Sequence, residues 1–154
     1  IKDDGRGIPI EIHPKTKIGV LRTIFEMLHS GGKFDDKAYK TSGGLHGVGV
    51  TVVNALSKSL QVDSSREGKT ETLIYERGKL ISSQIFSTLE RGNGLLVKFT
   101  PDPEIFKEFT YFKIETIQRR LKELAYLNPN LTLYFATSPN TEPIIYHFTG
   151  GLRS

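Results

Sequence analysis

The sequence predicts an α+β fold, a sandwich of two layers, and three observations carry that prediction. Near the start, Val20, Leu21, Ile24, Phe25 and Leu28 recur at helical spacing. The middle of the chain holds four strand-like runs separated by short glycine-containing turns. A second amphipathic helix and two further strand-like runs close the chain. Helices, then a sheet, then helix and strands is the order of a layered domain with segregated elements.

The chain opens with Ile1-Lys2-Asp3-Asp4-Gly5, which reads as the last residues of a strand running into a tight turn, with the strand's beginning, and the rest of a longer protein, lying outside the sequence. A proline-bounded loop from Pro9 to Pro14 precedes the first helix, and Gly31-Gly32 is expected to close that helix. Six of the twenty residues from Ser30 to Gly49 are glycine, which marks a long functional loop. Residues Val48 to Leu56 are ambiguous. Their valines favour a strand, yet Gly49 interrupts the run, and Val50, Val53 and Leu56 also share one helical face.

Leu60–Arg66, Thr70–Arg77, Lys79–Phe86 and Leu95–Phe99 read as strands divided by Glu67-Gly68, Arg77-Gly78 and Arg91-Gly92-Asn93-Gly94. Such short turns predict an antiparallel meander, ended by Pro101 and Pro103. Ile114, Ile117, Leu121, Leu124 and Ala125 define an amphipathic helix, with Glu115 and Arg119 spaced as a supporting pair and Asn128-Pro129 as its stop. Leu131–Phe135 and Ile144–Phe148 complete the chain as a hairpin.

Composition narrows the function. The 154 residues are 37% hydrophobic and 25% charged, enough for one packed core. No apolar run approaches the roughly 20 residues of a membrane helix. With no cysteine, disulfide scaffolds, thiolate zinc sites and cysteine nucleophiles are excluded. The four histidines, His13, His29, His46 and His147, are scattered and do not form a metal cluster. A net charge of +4 suits an anionic partner such as nucleotide or nucleic acid without requiring one.

Two motifs can carry chemistry. In Asp3-Asp4-Gly5-Arg6-Gly7-Ile8-Pro9, a carboxylate at a strand end can accept a bond from an amino group. The glycines beside it let a flat ring approach the backbone. The same residues also describe a plain Asp-Gly turn. In Gly43-Gly44-Leu45-His46-Gly47-Val48-Gly49, four glycines in seven residues lead into an apolar run. Either this is a flexible linker, or its bare backbone N–H groups cradle a polyphosphate at a helix start. It is not a P-loop, because no Gly-Lys-Ser/Thr follows.

Together, Asp3-x-Gly5-x-Gly7 and Gly43 to Gly49 resemble the paired nucleotide motifs of the GHKL ATPases. Leu28-His29-Ser30-Gly31-Gly32-Lys33-Phe34 and Ser42 to Val50, running into Val53-Asn54-Ala55-Leu56-Ser57, are similar more narrowly to the ATPase subunits of bacterial type IIA topoisomerases. The likeness extends through Arg66-Glu67-Gly68 and Pro101-Asp102-Pro103 to Gly150-Gly151, essentially the whole chain. Lys40-Thr41-Ser42 favours the topoisomerase IV branch of these ATPase subunits over the gyrase B branch.

The resemblance implies a mixed, mostly antiparallel sheet covered on one face by helices, with residues 1–154 forming part of an N-terminal ATPase domain. It makes the run after the glycines a helix. It implies ATP and Mg²⁺ as cofactors, with Asp3 accepting the adenine amino group and Gly7 reaching the adenine edge through a water. Arg6 and Pro9 would wall the base, within the turn formed by Gly5 and Ile8. Gly43, Gly44, Leu45, His46, Gly47, Val48 and Gly49 would wrap the phosphates, while Lys33 and Tyr39 belong to a closing lid. Arg66, with Arg6 and Pro9, would stand at the mouth where aminocoumarin-type inhibitors bind relatives. The family usually places a Thr where this chain has Leu95. Losing that hydroxyl is worth roughly 0.5–1.5 kcal/mol unless the network is rebuilt.

The general-base Glu and the Mg²⁺-ligating Asn of the family are expected before Ile1, and a transducer domain after Ser154, so these residues alone are expected not to hydrolyse ATP. The implied partners are DNA, the separate DNA-cleaving subunit of topoisomerase IV or gyrase, and a second copy joined through an ATP-dependent dimer. The resemblance implies no membrane, and a place in the bacterial cytoplasm at the nucleoid. A non-hydrolysing nucleotide-binding regulatory module of another GHKL branch is the alternative, and a basic DNA-binding domain with an incidental glycine loop the third reading.

Overall fold

In a computed structural model, residues 1–27, 49–108 and 111–149 are described. They fall into two compact units, one ending at Glu108 and the other beginning at Phe109. The first unit contains α1 (Val20–Glu26), α2 (Gly49–Ala55), β1 (Ser57–Arg66), β2 (Lys69–Glu76), β3 (Lys79–Ser87) and β4 (Gly94–Pro101). The ambiguous run after the glycines is thus a helix. The second unit holds α3 (Ile114–Leu127) and the hairpin of β5 (Leu133–Phe135) with β6 (Ile144–Tyr146). The α+β class expected from the element order is the one observed.

The four strands of the first unit form one sheet in the order β3-β2-β1-β4, every pair antiparallel. The turns at Glu67-Gly68 and Arg77-Gly78 have positive φ at both central residues, 53° and 79° in one and 49° and 80° in the other. This is the backbone twist that two-residue hairpins need, so β1, β2 and β3 follow one another as the meander predicted. β4 departs from it. Instead of pairing with β3, it crosses back to the far side of β1, where Leu60 faces Phe99 and Val62 faces Val97. The segment from Thr88 to Asn93 makes this return. Thr88 N–H donates to the Gly68 carbonyl at 2.7 Å and Asn93 Oδ1 accepts from Glu67 N–H, so the segment is fastened over the β1–β2 turn.

β1 is therefore a central strand, paired on both edges, and its alternate residues define a helix-facing side. Leu60 and Val62 on β1, Leu73 and Tyr75 on β2, and Leu21 and Phe25 on α1 form the buried core. Ile8, Val53, Leu80, Leu95, Val97 and Phe99 pack around it. The rings of Phe25 and Tyr75 stack with centroids 6.5 Å apart. Each such side chain, fully removed from water, contributes about 1.5–3 kcal/mol, which holds α1 against the sheet more firmly than its seven residues could by helix propensity alone.

A polar latch fixes the register of α1. Glu26 accepts two bonds from Arg22, at 2.7 and 3.0 Å, and one from the Tyr75 hydroxyl at 2.7 Å. Burial pushes the Glu26 carboxyl upward, but the bonds from Arg22 and Tyr75 outweigh it and hold the group below its ordinary range. Burial and the neighbouring Glu26 push the Tyr75 phenol well above its usual range. α2 in turn completes α1. Thr51 Oγ1 donates to the carbonyls of Ile24 and Met27 and Asn54 Nδ2 to that of Phe25, supplying partners for carbonyls that a helix end leaves open.

In the second unit, α3 ends as its sequence predicted, with Asn128 Nδ2 donating to the Leu124 carbonyl at 2.7 Å. Its ion pair is Arg120–Glu123 at 3.1 Å rather than the Glu115–Arg119 pair anticipated from spacing. No helix among the described residues is long and apolar enough to cross a membrane.

One buried charge works against the fold. Glu71 on β2 is 7% exposed and faces the helical side beside Ser64. Burial raises its pKa, an effect only partly offset by the charge of Arg22. A carboxyl raised in the folded state contributes its stability fully below the unfolded pKa and loses it as pH rises through the folded value. Glu71→Gln is therefore expected to raise the urea midpoint at pH 7.5 and to leave it nearly unchanged close to pH 4. A lower midpoint for the variant at pH 7.5 would mean that Arg22 governs the site instead.

Candidate functional site

The site begins with the pairing of Ile1–Asp3 alongside β4. Ile1 and Val97 exchange both backbone bonds at 2.8 Å, and Lys2 bridges Leu96 in antiparallel sense. At Asp3 the ladder changes character. Asp3 N–H still donates to the Leu95 carbonyl at 2.9 Å, but Leu95 N–H donates to Asp3 Oδ1, at 3.0 Å, in place of the main-chain oxygen. Gly5 N–H donates to the same Oδ1 at 3.0 Å. Two amides thus converge on one carboxylate oxygen, and Oδ2 has no hydrogen-bond partner among the described residues. Bonds of this charge-assisted kind fix a carboxylate's orientation. Asp3 is exposed, so the second oxygen is open to an incoming donor.

Close backbone approach explains two glycines here. At Gly94 a Cβ would overlap the Asp3 carbonyl oxygen. Gly7 has φ +74°, and a Cβ there would overlap the carbonyl oxygen of Ser65. The turn after Asp3 therefore lies flat against β1. Ile8 is tied to Ser64, whose Oγ accepts from Ile8 N–H at 2.8 Å and donates to the Ile8 carbonyl at 3.2 Å. Arg66 Nη1 donates to the Gly7 carbonyl at 3.5 Å.

Of the residues singled out from the sequence, Asp3, Gly5, Arg6, Gly7, Ile8 and Pro9 form this turn. Arg66 reaches it from β1, and Leu95 pairs with Asp3 across the ladder. The Leu95 side chain packs against the core while its amide holds the carboxylate. Gly49 opens α2, and no atom of the described residues lies within 4 Å of where a Cβ would stand. Lys33, Tyr39, Gly43, Gly44, Leu45, His46, Gly47 and Val48 lie outside the described residues. A recess of about 90 Å³ lined by Asp3, Asp63, Ser65, Asn93 and Gly94 adjoins the carboxylate. It is far below the roughly 300–1,000 Å³ of ligand pockets and suits solvent only.

The sequence pointed to no role for Ser64, and Asp102 stood out only as part of the Pro101-Asp102-Pro103 likeness. The signal for Ser64 was its position: a hydroxyl at the inward place that follows Leu60 and Val62. Asp102 is 3% exposed; it accepts bonds from Arg77 Nε and Glu104 N–H through its side chain and donates its own N–H to Leu56, joining the ends of α2, β2 and β4.

An anchored carboxylate at a strand end, a flat glycine turn beside it, and a helix entered from a glycine-rich segment define a nucleotide-binding ATPase fold. The model of the histidine kinase-, DNA gyrase B- and HSP90-like ATPases matches residues 1–98, and the chain belongs to that family. It is 46% identical to the B subunit of DNA gyrase from Spiroplasma citri, across 98% of this chain and 24% of that protein. It is 48% identical to the B subunit of DNA topoisomerase 4 from Mycoplasma pneumoniae, across 88% of this chain and 22% of that protein. The chain thus spans about a quarter of the length of the curated relatives it matches. The 43K ATPase domain of Thermus thermophilus gyrase B, solved with an aminocoumarin, superposes with a TM-score of 0.80 at 33% identity, covering 98% of this chain and 37% of that one. The topoisomerase IV ATP-binding domain of Francisella tularensis, solved with a small-molecule inhibitor, gives 0.78 at 31% identity, covering 98% and 40%.

The Gly7 geometry makes a direct prediction. Gly7→Ala must either strain a left-handed backbone, at about 1–3 kcal/mol, or lift the turn off β1. Nucleotide affinity measured by calorimetry should fall by more than about tenfold while the far-ultraviolet circular dichroism of the sheet persists. Unaltered affinity would show that the turn does not need this contact.

Proposed function

We propose that this chain is the ATP-binding part of the B subunit of a bacterial type II DNA topoisomerase, and that nucleotide binding and hydrolysis in the intact subunit drive closure of a clamp on DNA. The observation carrying this reading is the exposed Asp3 carboxylate, with one oxygen held by the amides of Gly5 and Leu95 and the other without a hydrogen-bond partner among the described residues. Such a group recognises an exocyclic amino group, which adenine offers. The donor set fits ATP at its base end: Asp3 as acceptor, the flat Gly5–Gly7 backbone along the ring, and Arg6, Pro9 and Arg66 at the mouth. The phosphates fall to Gly43, Gly44, Leu45, His46, Gly47, Val48 and Gly49 in this reading, with Lys33 and Tyr39 closing over them.

Among the described residues no group of three or more histidine and carboxylate side chains is placed to hold a metal ion. The reading assigns the Mg²⁺ ligand and the general base to other parts of the intact subunit. Bound Mg²⁺ would supply charge neutralisation at the phosphates; the residues of this chain bind and orient the purine. The proposed partners are DNA, a second copy of the ATPase chain, and the DNA-cleaving subunit, in the bacterial cytoplasm. The mouth residues are a site for aminocoumarin-type inhibitors. Within the class, Lys40-Thr41-Ser42 favours the B subunit of topoisomerase IV over that of gyrase.

Asp3→Asn tests the reading, because it turns an acceptor-only group into one that also presents a donor to the amino group. Loss of a bond to a charged acceptor is worth roughly 1.5–3 kcal/mol, or about 10- to 150-fold in affinity. Calorimetric titration with a non-hydrolysable ATP analogue should show that loss, and binding indistinguishable from the unaltered protein would remove Asp3 from the adenine site.

A further inference from the structure

We infer that Ser64 is a positioning residue for the base end of the nucleotide site: its hydroxyl fixes Ile8, and through Ile8 the turn that faces the ligand. This rests on the nucleotide reading above. The inward side of β1 carries Leu60, Val62 and then Ser64, all buried, with Ser64 at 0% exposure. A hydroxyl buried at an apolar position is costly unless bonded. This one is bonded twice, to the N–H and the carbonyl of Ile8.

Topology explains why a side chain must do this. Both edges of β1 are occupied, by β2 on one side and β4 on the other, so its main-chain groups are committed within the sheet. The turn crosses the face of β1, and the flat Gly7 against Ser65 keeps it there. From that direction β1 can hold the turn only through a side chain. The cross-strand neighbours of Ser64 on this face, Glu71 on β2 and Leu95 on β4, do not bond the turn through their side chains. Arg66, next along the same face of β1, reaches the Gly7 carbonyl at 3.5 Å, so Ser64 makes the shorter bonds to the turn.

The apolar half of the anchor is separate. The Ile8 side chain packs against the core, so removing the Ser64 hydroxyl leaves Ile8 docked by its side chain but unpaired along its backbone. The sheet should survive that change, and the orientation of Gly7 and Pro9 on either side should not. Ser64 thus acts on the ligand through the turn.

The test compares Ser64→Ala, Ser64→Thr and Asp3→Asn in the intact subunit. For Ser64→Ala we expect ADP to bind about three- to tenfold more weakly, as loss of an ordinary hydrogen bond implies. The KM for ATP should rise with kcat retained. Exchange of the Ile8 amide hydrogen should quicken while the amides of Leu60 and Val62 stay protected, and Ser64→Thr, which keeps a hydroxyl, should restore affinity. If the alanine variant does not fold, Ser64→Cys fills the same space with a much weaker donor and should show the same loss. Unchanged ADP affinity in Ser64→Ala alongside weakened binding in Asp3→Asn overturns the role of Ser64. So does accelerated exchange across all of β1, which would mark a purely structural role. Unchanged binding in Asp3→Asn as well sinks the nucleotide reading itself.

Discussion

The structure around the site depends on one substitution in a hydrogen-bond ladder. Where Leu95 N–H would meet the main-chain oxygen of Asp3, it meets the side-chain oxygen instead. That change uses strand pairing to orient a carboxylate. Gly94 permits it, because any Cβ there would overlap the Asp3 carbonyl oxygen. The sheet is thus both the scaffold of the acid and its first hydrogen-bond partner, and the turn inherits its starting direction from β4. Precision of this kind comes more readily from a strand than from a free loop, since neighbouring ladder bonds at Val97 resist any shift.

The same economy appears on the helical side. α1 is short, yet it is fastened to β2 by stacked rings and by the Arg22–Glu26–Tyr75 latch, and its open carbonyls are satisfied from α2. α1 and α2 are therefore linked, and the start of α2 at Gly49 is placed with respect to the sheet by bonds made at Thr51 and Asn54. Through these contacts the core sets where the chain enters α2 from the glycine-rich segment. Glu71 departs from the rule that the core stabilises: burial beside Ser64 raises its pKa, and the charge of Arg22 offsets that in part.

Much of this was legible in the sequence because it is local. The two-residue turns at Glu67-Gly68 and Arg77-Gly78 are written in their residue types, and the helix from Ile114 in its period. The strand-like ending at Asp3 was visible from one apolar residue and an Asp-Gly turn. What stayed hidden is long-range. No local pattern distinguishes β4 beside β3 from β4 beside β1, because the intervening residues allow either return. The helix at Gly49–Ala55 could not be separated from a strand by its valines; it was settled first by likeness to a family and then by structure. The Glu115–Arg119 spacing suited a pair, but Arg120 and Glu123 made one. Ser64 escaped notice because its inward position after Leu60 and Val62 marks a buried hydroxyl but not its partner, which lies 56 residues away.

Ser64 and Leu95 bear on each other for a geometric reason. They are cross-strand partners on the same side of the sheet, so the floor beneath the turn has one polar and one apolar position at neighbouring points. With leucine on β4, the only contribution of that residue to Asp3 is through its backbone. With serine on β1, the hydroxyl sits one strand over and meets the turn's backbone. A polar contact that β4 does not offer from its side chain is therefore offered from β1, to a different atom of the same turn. The chemistry of this part of the sheet is then a property of the pair: the side-chain hydroxyl comes from Ser64 and goes to Ile8, while Leu95 gives the turn only its backbone at Asp3.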